Sequence, residues 1–334
     1  MKPFITIIIP TYNRSEMLEI TLDSFISQNY GNANYEIIIS NNNSTDNTEE
    51  IIEKYVKKYD NVSTIFVEKQ GAHYARNAGA IEAKGEILYL TDDDVIADHN
   101  LLSSLIDVFN LNENIAVVTG KISAKFDSKP PAWVDKYLIN HLLSLTEKNR
   151  KELLIISSDD IGIYMCHQAI RRDVYIAAGG CNPDHAGNIF QGDAETGLNV
   201  KIKEIGALFA YTSEAKLEHI IPKSRTTLKY LIHRIGSEGY IQAYTEFRKY
   251  RSRTKLLKNI IYRNILEFLI IEAKYMVLIL LGRKNFRFLF PFPFFYIKKT
   301  IYEIKLLKNS NFREVVLIDD WIENINRDFL FSND

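Results

Sequence analysis

Ile87-Leu88-Tyr89-Leu90-Thr91-Asp92-Asp93-Asp94 is the stretch from which the fold can be read. Five mostly apolar residues, bounded by Gly85 and a polar cluster, predict a short buried strand. Three consecutive carboxylates stand where that strand ends. Like charges so close repel, and the cluster needs a cation or hydrogen-bond donors beside it. Hard divalent ions such as Mg²⁺ or Mn²⁺ take oxygen ligands, and Mg²⁺ is commonly held by one or two carboxylates plus substrate phosphates. A plainer alternative is an acidic loop capping the next helix, with Asp98 contributing.

Working outward, residues 4–9 form a β-branched run that predicts a first buried strand, closed by Pro10. Asn13 and Glu16 have the spacing of a helix N-cap pair, and Leu18, Leu22, Phe25 and Ile26 then recur at helical spacing. Residues 35–39 predict a second strand, ending in the polar turn 40–46 before a helix started by Asp46 and Glu49. A third strand is expected at residues 62–67, and a helix at 73–83, stopped by Gly85. Strands alternating with helices argue for a doubly wound, mostly parallel α/β sheet. In such sheets ligands bind outside the carboxyl ends of the strands. Thr11, the turn 41–46 and Asp92–Asp94 all fall at that edge.

Further along, residues 115–119 and 161–169 predict strands, with an insertion-like stretch at 125–158 that includes a helix. Asp193-Ala194-Glu195 precedes a helix running to Gly206, and a last strand pair leads to His219 and Pro222. From residue 223 to 263 there are eleven Lys/Arg against Glu238 and Glu246, a local net charge of +9. That shift places a boundary near 222, between an α/β unit, 1–222, and a basic helical region, 223–334. The 334 residues agree with about two domains. A hydrophobic content of 46% is enough to bury a core, and a net charge of −1 gives no attraction to nucleic acid. Cys166 and Cys181 form neither a disulfide framework nor a metal-ligand spacing, which favours a reducing compartment. The opening Met-Lys-Pro-Phe runs straight into a strand, so no cleavable signal peptide is expected. A cytoplasmic location is expected.

Four segments in this order resemble the family 2 glycosyltransferases of the GT-A fold: residues 7–14, 42–48, 71–79 and 91–94. The resemblance covers roughly residues 4–240. It implies transfer of a sugar from a nucleotide diphosphate donor, UDP-linked as the first expectation, with inversion and a divalent metal (Mn or Mg). Polysaccharide or glycolipid assembly is the implied setting. A metal bridging the diphosphate would stabilise the charge that develops on the leaving group.

By the same resemblance, Asp92, Asp93 and Asp94 supply metal and ribose ligands, with Asp93, Asp94 and His219 the metal set. His219 as a purely structural histidine stays open. Arg76 is a candidate diphosphate contact, while Asn77 and Gly79 pack their helix on the sheet. Pro10, Thr11, Tyr12, Asn13 and Arg14 would lie against the nucleotide. Asn41 stands where the family usually has an aspartate accepting the base N–H, and an amide oxygen can still accept it. Asp46 keeps its family position, or merely caps a helix. Inversion needs a carboxylate that takes the acceptor's proton. Glu195 is preferred over Asp193, and both as simple helix caps is the plain alternative.

Two other functions fit part of this pattern. A sugar nucleotidyltransferase would share the sheet and the carboxylates, yet its Gly-rich basic phosphate loop is missing after the first strand. A non-catalytic nucleotide-sugar-binding protein would not need Asp193 and Glu195. The acceptor is expected to be a glycan or lipid-linked. The C-terminal region is expected to serve the acceptor, a homo-oligomer or a membrane surface on the cytoplasmic side. No stretch there reaches the roughly 20 apolar residues of a spanning helix.

Overall fold

The computed structural model describes residues 2–134, 142–146, 152–157, 162–186, 190–282 and 291–326. Strands β1 (Ile5–Thr11), β2 (Tyr35–Asn41), β3 (Val62–Phe66) and β4 (Ile87–Thr91) lie in the order β3-β2-β1-β4, all parallel. Helices α1 (Ser15–Ile26), α2 (Thr48–Lys58) and α3 (Ala72–Glu82) make the crossovers. Every residue of β1, β2 and β4 is buried, as expected of strands covered on both faces. Alternation sends Ile7 and Ile9 into a core with Leu18, Leu22 and Phe25 of α1. Ile8, Ile38 and Leu88 join the opposite core with Ala80 of α3. There Gly79 permits the close approach: a Cβ would stand 2.6 Å from Ile8 Cγ2.

Past the acidic triplet come β5 (Val95–Ala97), α4 (Leu101–Phe109), β6 (Ile115–Phe126), β7 (Leu153–Ile156), β8 (His167–Arg171), α5 (Arg172–Ala177), α6 (Ala194–Glu204) and β11 (Leu208–Ile221). Between α5 and α6, β9 (His185–Ala186) and β10 (Phe190–Gln191) pair with each other. The main sheet continues β4-β8-β6-β11-β5, with β7 also on β11. Here the expectation of a mostly parallel sheet meets a mixed half. β8 is antiparallel to β4 and β6, and β11 is parallel to β6 but antiparallel to β5 and β7. The strand expected at 161–169 starts at His167, and part of the helix expected within 125–158 falls on residues outside those described.

After Pro222, α7 (Leu228–Tyr250), α8 (Arg253–Lys258), a π-helical turn (Asn259–Asn264), α9 (Ile265–Leu280), α10 (Phe292–Lys308) and α11 (Ser310–Val316) follow. Tyr244, Phe247, Leu306, Phe312 and Trp321 form a core of their own. The region is nonetheless tied to the sheet domain. Trp321 donates its backbone N–H to Gly179 O at 2.8 Å, and Tyr302 Oη donates to Gln191 O at 2.8 Å.

His167 fixes the junction of the two sheet halves. Its Nε2 lies 3.1 Å from Ala215 O and its Nδ1 2.7 Å from Tyr89 Oη, contacts that a neutral ring satisfies with one donor and one acceptor. Gly120 leaves room for the ring, since a Cβ there would lie 2.5 Å from Nε2. Burial lowers the His167 pKa to about 4. The unfolded chain binds a proton below about 6.5 while the fold does not, so stability is present above that pH and is lost as pH falls towards 4. The melting temperature of the wild type should therefore drop more steeply between pH 7 and 4.5 than that of His167→Gln. Parallel pH profiles would contradict this.

Candidate active site

The three carboxylates at the end of β4 are each met by an arginine from a different part of the chain. Asp92 accepts from Arg76 Nη2 at 2.5 Å, and Arg76 also reaches Asp184 at 3.3 Å. Asp93 accepts from Thr11 Oγ1 at 2.8 Å and from Arg14 Nη1 at 3.2 Å. Asp94 Oδ2 accepts from Arg14 at 2.7 Å and from Arg225 Nη2 at 3.1 Å. Asp93 and Asp94 are buried, and the environment pushes their protonation apart. Burial drives Asp93 up to about 7 against the pull of Arg14. Burial acts on Asp94 too, but His219, Arg225 and Arg14 together hold it well below the usual carboxylate range.

Asp94 Oδ1 is a buried oxygen with no hydrogen-bond partner. The imidazole Nε2 of His219 lies 3.4 Å from it, and Arg225 Nη1 lies 3.0 Å from that same nitrogen. His219 Nδ1 sits 2.9 Å from Leu143 O, where only an N–H can satisfy the contact, so in the neutral ring Nε2 carries the lone pair. In that tautomer the Nε2 lone pair accepts from Arg225 Nη1, so a divalent cation would take the orphaned carboxylate oxygen directly and the imidazole nitrogen only by displacing that guanidinium. Among the described residues no group of three or more His, Cys, Asp or Glu converges on one point. The other ligands of a cation here would come from a bound molecule.

Around this node the turns are held by amides. Asn13, at φ 53°, accepts from Thr45 N at 2.7 Å, so it bridges to the turn after β2 and does not cap α1 as its spacing with Glu16 predicts. Asn41 accepts from Ser44 N at 3.0 Å and donates to Glu49 at 2.5 Å. Asp46 accepts from Thr48 N at 3.0 Å, as a helix-starting residue does. Asn42 accepts from Gly71 N at 2.8 Å and donates to Val67 O and Lys69 O, which pins the loop before α3. Between these loops lies a cleft of about 630 Å³. Pro10, Thr11, Tyr12, Arg14, Arg76 and Asp92–Asp94 line it, and so does Arg225, whose role the sequence reading missed. Its signal was its position six residues after His219, hidden within the basic stretch.

The two base candidates differ in setting. Asp193 is buried, and both its oxygens are occupied: Asn182 Nδ2 donates at 2.8 Å and Thr245 Oγ1 of α7 at 3.0 Å. Glu195 is half-buried and takes no hydrogen bond from another side chain among the described residues. Burial raises its pKa, opposed by Arg234 and by the same Arg76 that binds Asp92. Leaving a buried donor unsatisfied costs about 1–3 kcal/mol. Asp193→Ala orphans the Asn182 amide, while Thr245 Oγ1 can still donate to Ile241 O, and should lower the melting temperature by a few degrees, whereas Glu195→Gln should leave it nearly unchanged. Calorimetry of both variants checks this, and equal destabilisation would contradict it.

Comparison with known proteins bears on this geometry. The glycosyl transferase family 2 model matches residues 6–177, just over half of the chain. Glycosyltransferase AglE of Haloferax volcanii is 38% identical over 93 residues, which span 28% of this chain and 31% of that protein. The glucosyl-dolichyl phosphate glucuronosyltransferase of Haloferax volcanii is 22% identical over 245 residues, 71% of this chain and 75% of that protein. The solved mannosyltransferase PcManGT from Pyrobaculum calidifontis, in complex with GDP-Man and Mn²⁺, shares the fold with a TM-score of 0.59 at 14% identity, covering 91% of this chain and 88% of that one. With its GT-A sheet and the family match across β1 to α5, the chain belongs to glycosyl transferase family 2.

Proposed function

We propose that the chain transfers a sugar, with inversion, from a nucleoside-diphosphate donor in the cleft to a hydroxyl of a glycan or lipid-linked acceptor. The observation that carries this reading is the unpartnered Asp94 Oδ1 facing His219 Nε2 in a cleft lined by Arg14, Arg76 and Arg225. Three guanidiniums fit a diphosphate, since their planar N–H forks match phosphate oxygens. Asp94 and His219 would hold a divalent cation, Mn²⁺ or Mg²⁺, which supplies Lewis-acid stabilisation of the departing diphosphate. The Mn²⁺ and GDP-Man bound by the solved mannosyltransferase support a metal and a nucleotide sugar in kind. UDP remains the donor nucleotide first expected, to be tested beside GDP.

The protein's own groups perform the remaining steps. Thr11 and Arg14 hold Asp93, and Arg76 holds Asp92, so the carboxylates are set before the donor arrives. Glu195 takes the proton of the acceptor hydroxyl as it attacks the anomeric carbon. Its raised pKa makes it a better base at neutral pH than an exposed carboxylate. Asp193 orients the start of α6 through Asn182 and Thr245. A relative named glucosyl-dolichyl phosphate glucuronosyltransferase supports a lipid-linked acceptor in kind.

The test is turnover of a panel of UDP- and GDP-sugars by the full chain with Mn²⁺, reading donor hydrolysis and the product anomer by NMR. One donor should react with inversion, and chelator should stop it. Glu195→Gln should lose on the order of a hundredfold in turnover, the range for removing a general base, with donor affinity unchanged. Retention at the anomeric carbon, or full turnover by Glu195→Gln, would contradict the proposal.

A further inference from the structure

Helix α9 is built inside out. It has no buried residue. Leu266, Leu269, Met276, Val277 and Leu280 are exposed by 56, 57, 54, 52 and 81%. At 3.6 residues per turn, its exposed apolar side chains cover an arc of about 180°. Both of its acidic residues, Glu267 and Glu272, lie among the half-buried positions. Lys274 is the one charged residue among its exposed positions. A surface helix of a soluble protein has the opposite arrangement. Helix α10 continues the pattern, exposing Phe292, Ile297, Ile301 and Ile304 before the exposed Lys308. Apolar patches of this extent mark a surface that is covered in use.

Charge identifies what covers it. Residues 249–308 carry fourteen Lys/Arg against Glu267, Glu272 and Glu303, a net +11 in a chain whose total is −1; Lys299 is buried between Glu246 and Glu303, while Lys249, Lys258, Lys274 and Lys308 are exposed. The remainder of the molecule is therefore −12. A second copy presenting the same face would bring two such cationic segments together. An anionic surface with an apolar interior complements both features. No described helix is long and apolar enough to cross a membrane. The basic stretch 223–263 singled out in the sequence is less available than its count suggests. Arg225 lies on Asp94, Arg234 on Glu238, Arg248 and Arg251 on Asp319, and Arg263 on Glu246.

We propose that the exposed faces of α9 and α10 insert into the interface of an anionic lipid bilayer, with α9 lying in the membrane plane and the surrounding lysines and arginines at the headgroups. Apolar burial then supplies most of the attachment, and the charges select the lipid. This assignment goes beyond the transfer reaction and does not rest on it.

The test is sedimentation of the full chain with vesicles of phosphatidylcholine containing one quarter phosphatidylglycerol, against pure phosphatidylcholine. The wild type should pellet with the anionic vesicles and at least tenfold less with the neutral ones. Leu269→Glu/Val277→Glu, at two exposed positions, should keep the melting temperature and lose at least tenfold in partition to anionic vesicles. Because Cys166 and Cys181 are buried, an environment-sensitive fluorophore on Leu269→Cys labels selectively. Its emission should shift to the blue on adding anionic vesicles. An unshifted emission, undiminished pelleting of the double variant, equal pelleting with both vesicle types, or a lipid-free dimer broken by the double variant would each overturn the assignment.

Discussion

Three adjacent carboxylates at the end of a buried strand are the constraint on which the rest of this molecule depends. An uncompensated buried charge costs several kcal/mol, so the fold must deliver cations to Asp92–Asp94 or lose stability. It does so from three distant points: Arg14 before α1, Arg76 on α3 and Arg225 after β11. Closing the sheet and assembling the cleft are thus one event. The compensation is incomplete at one atom, Asp94 Oδ1, and that atom faces the imidazole of His219.

The same logic explains why the helices after Pro222 belong to the site although they have their own core. Arg225 completes the acidic cluster, and Thr245 of α7 holds Asp193 at the start of α6. Tyr302 and Trp321 fasten the last helices to the loops around Gln191 and Gly179. If α9 and α10 rest on a bilayer, these ties fix the orientation of the cleft relative to the lipid. A lipid-linked acceptor would then meet the donor site from a defined side.

Much of the first half was legible because its signals are local. Strands β1 to β4 follow from β-branched runs bounded by turns, and their carboxyl ends place Thr11, the Asn41 turn and Asp92–Asp94 on one edge. The second half was less legible because its pairing is not local. Whether β8 runs parallel or antiparallel to β4 depends on a connection whose course no residue pattern encodes. Arg225 was hidden for a related reason, since a basic stretch does not reveal which of its members turns inward. Asn13 misled because the amide that would cap α1 instead bridges to Thr45 across the cleft edge. The exposure of α9 was unreadable too, because an apolar helix without periodicity reads equally well as core.

Manganese binding followed by electron paramagnetic resonance tests the central claim most directly. With the full chain and a nucleoside diphosphate present, the six-line signal of free Mn²⁺ should fall as a ternary complex forms, and Asp94→Asn should leave it at its protein-free amplitude. Equal loss of the free signal with Asp94→Asn would contradict the account.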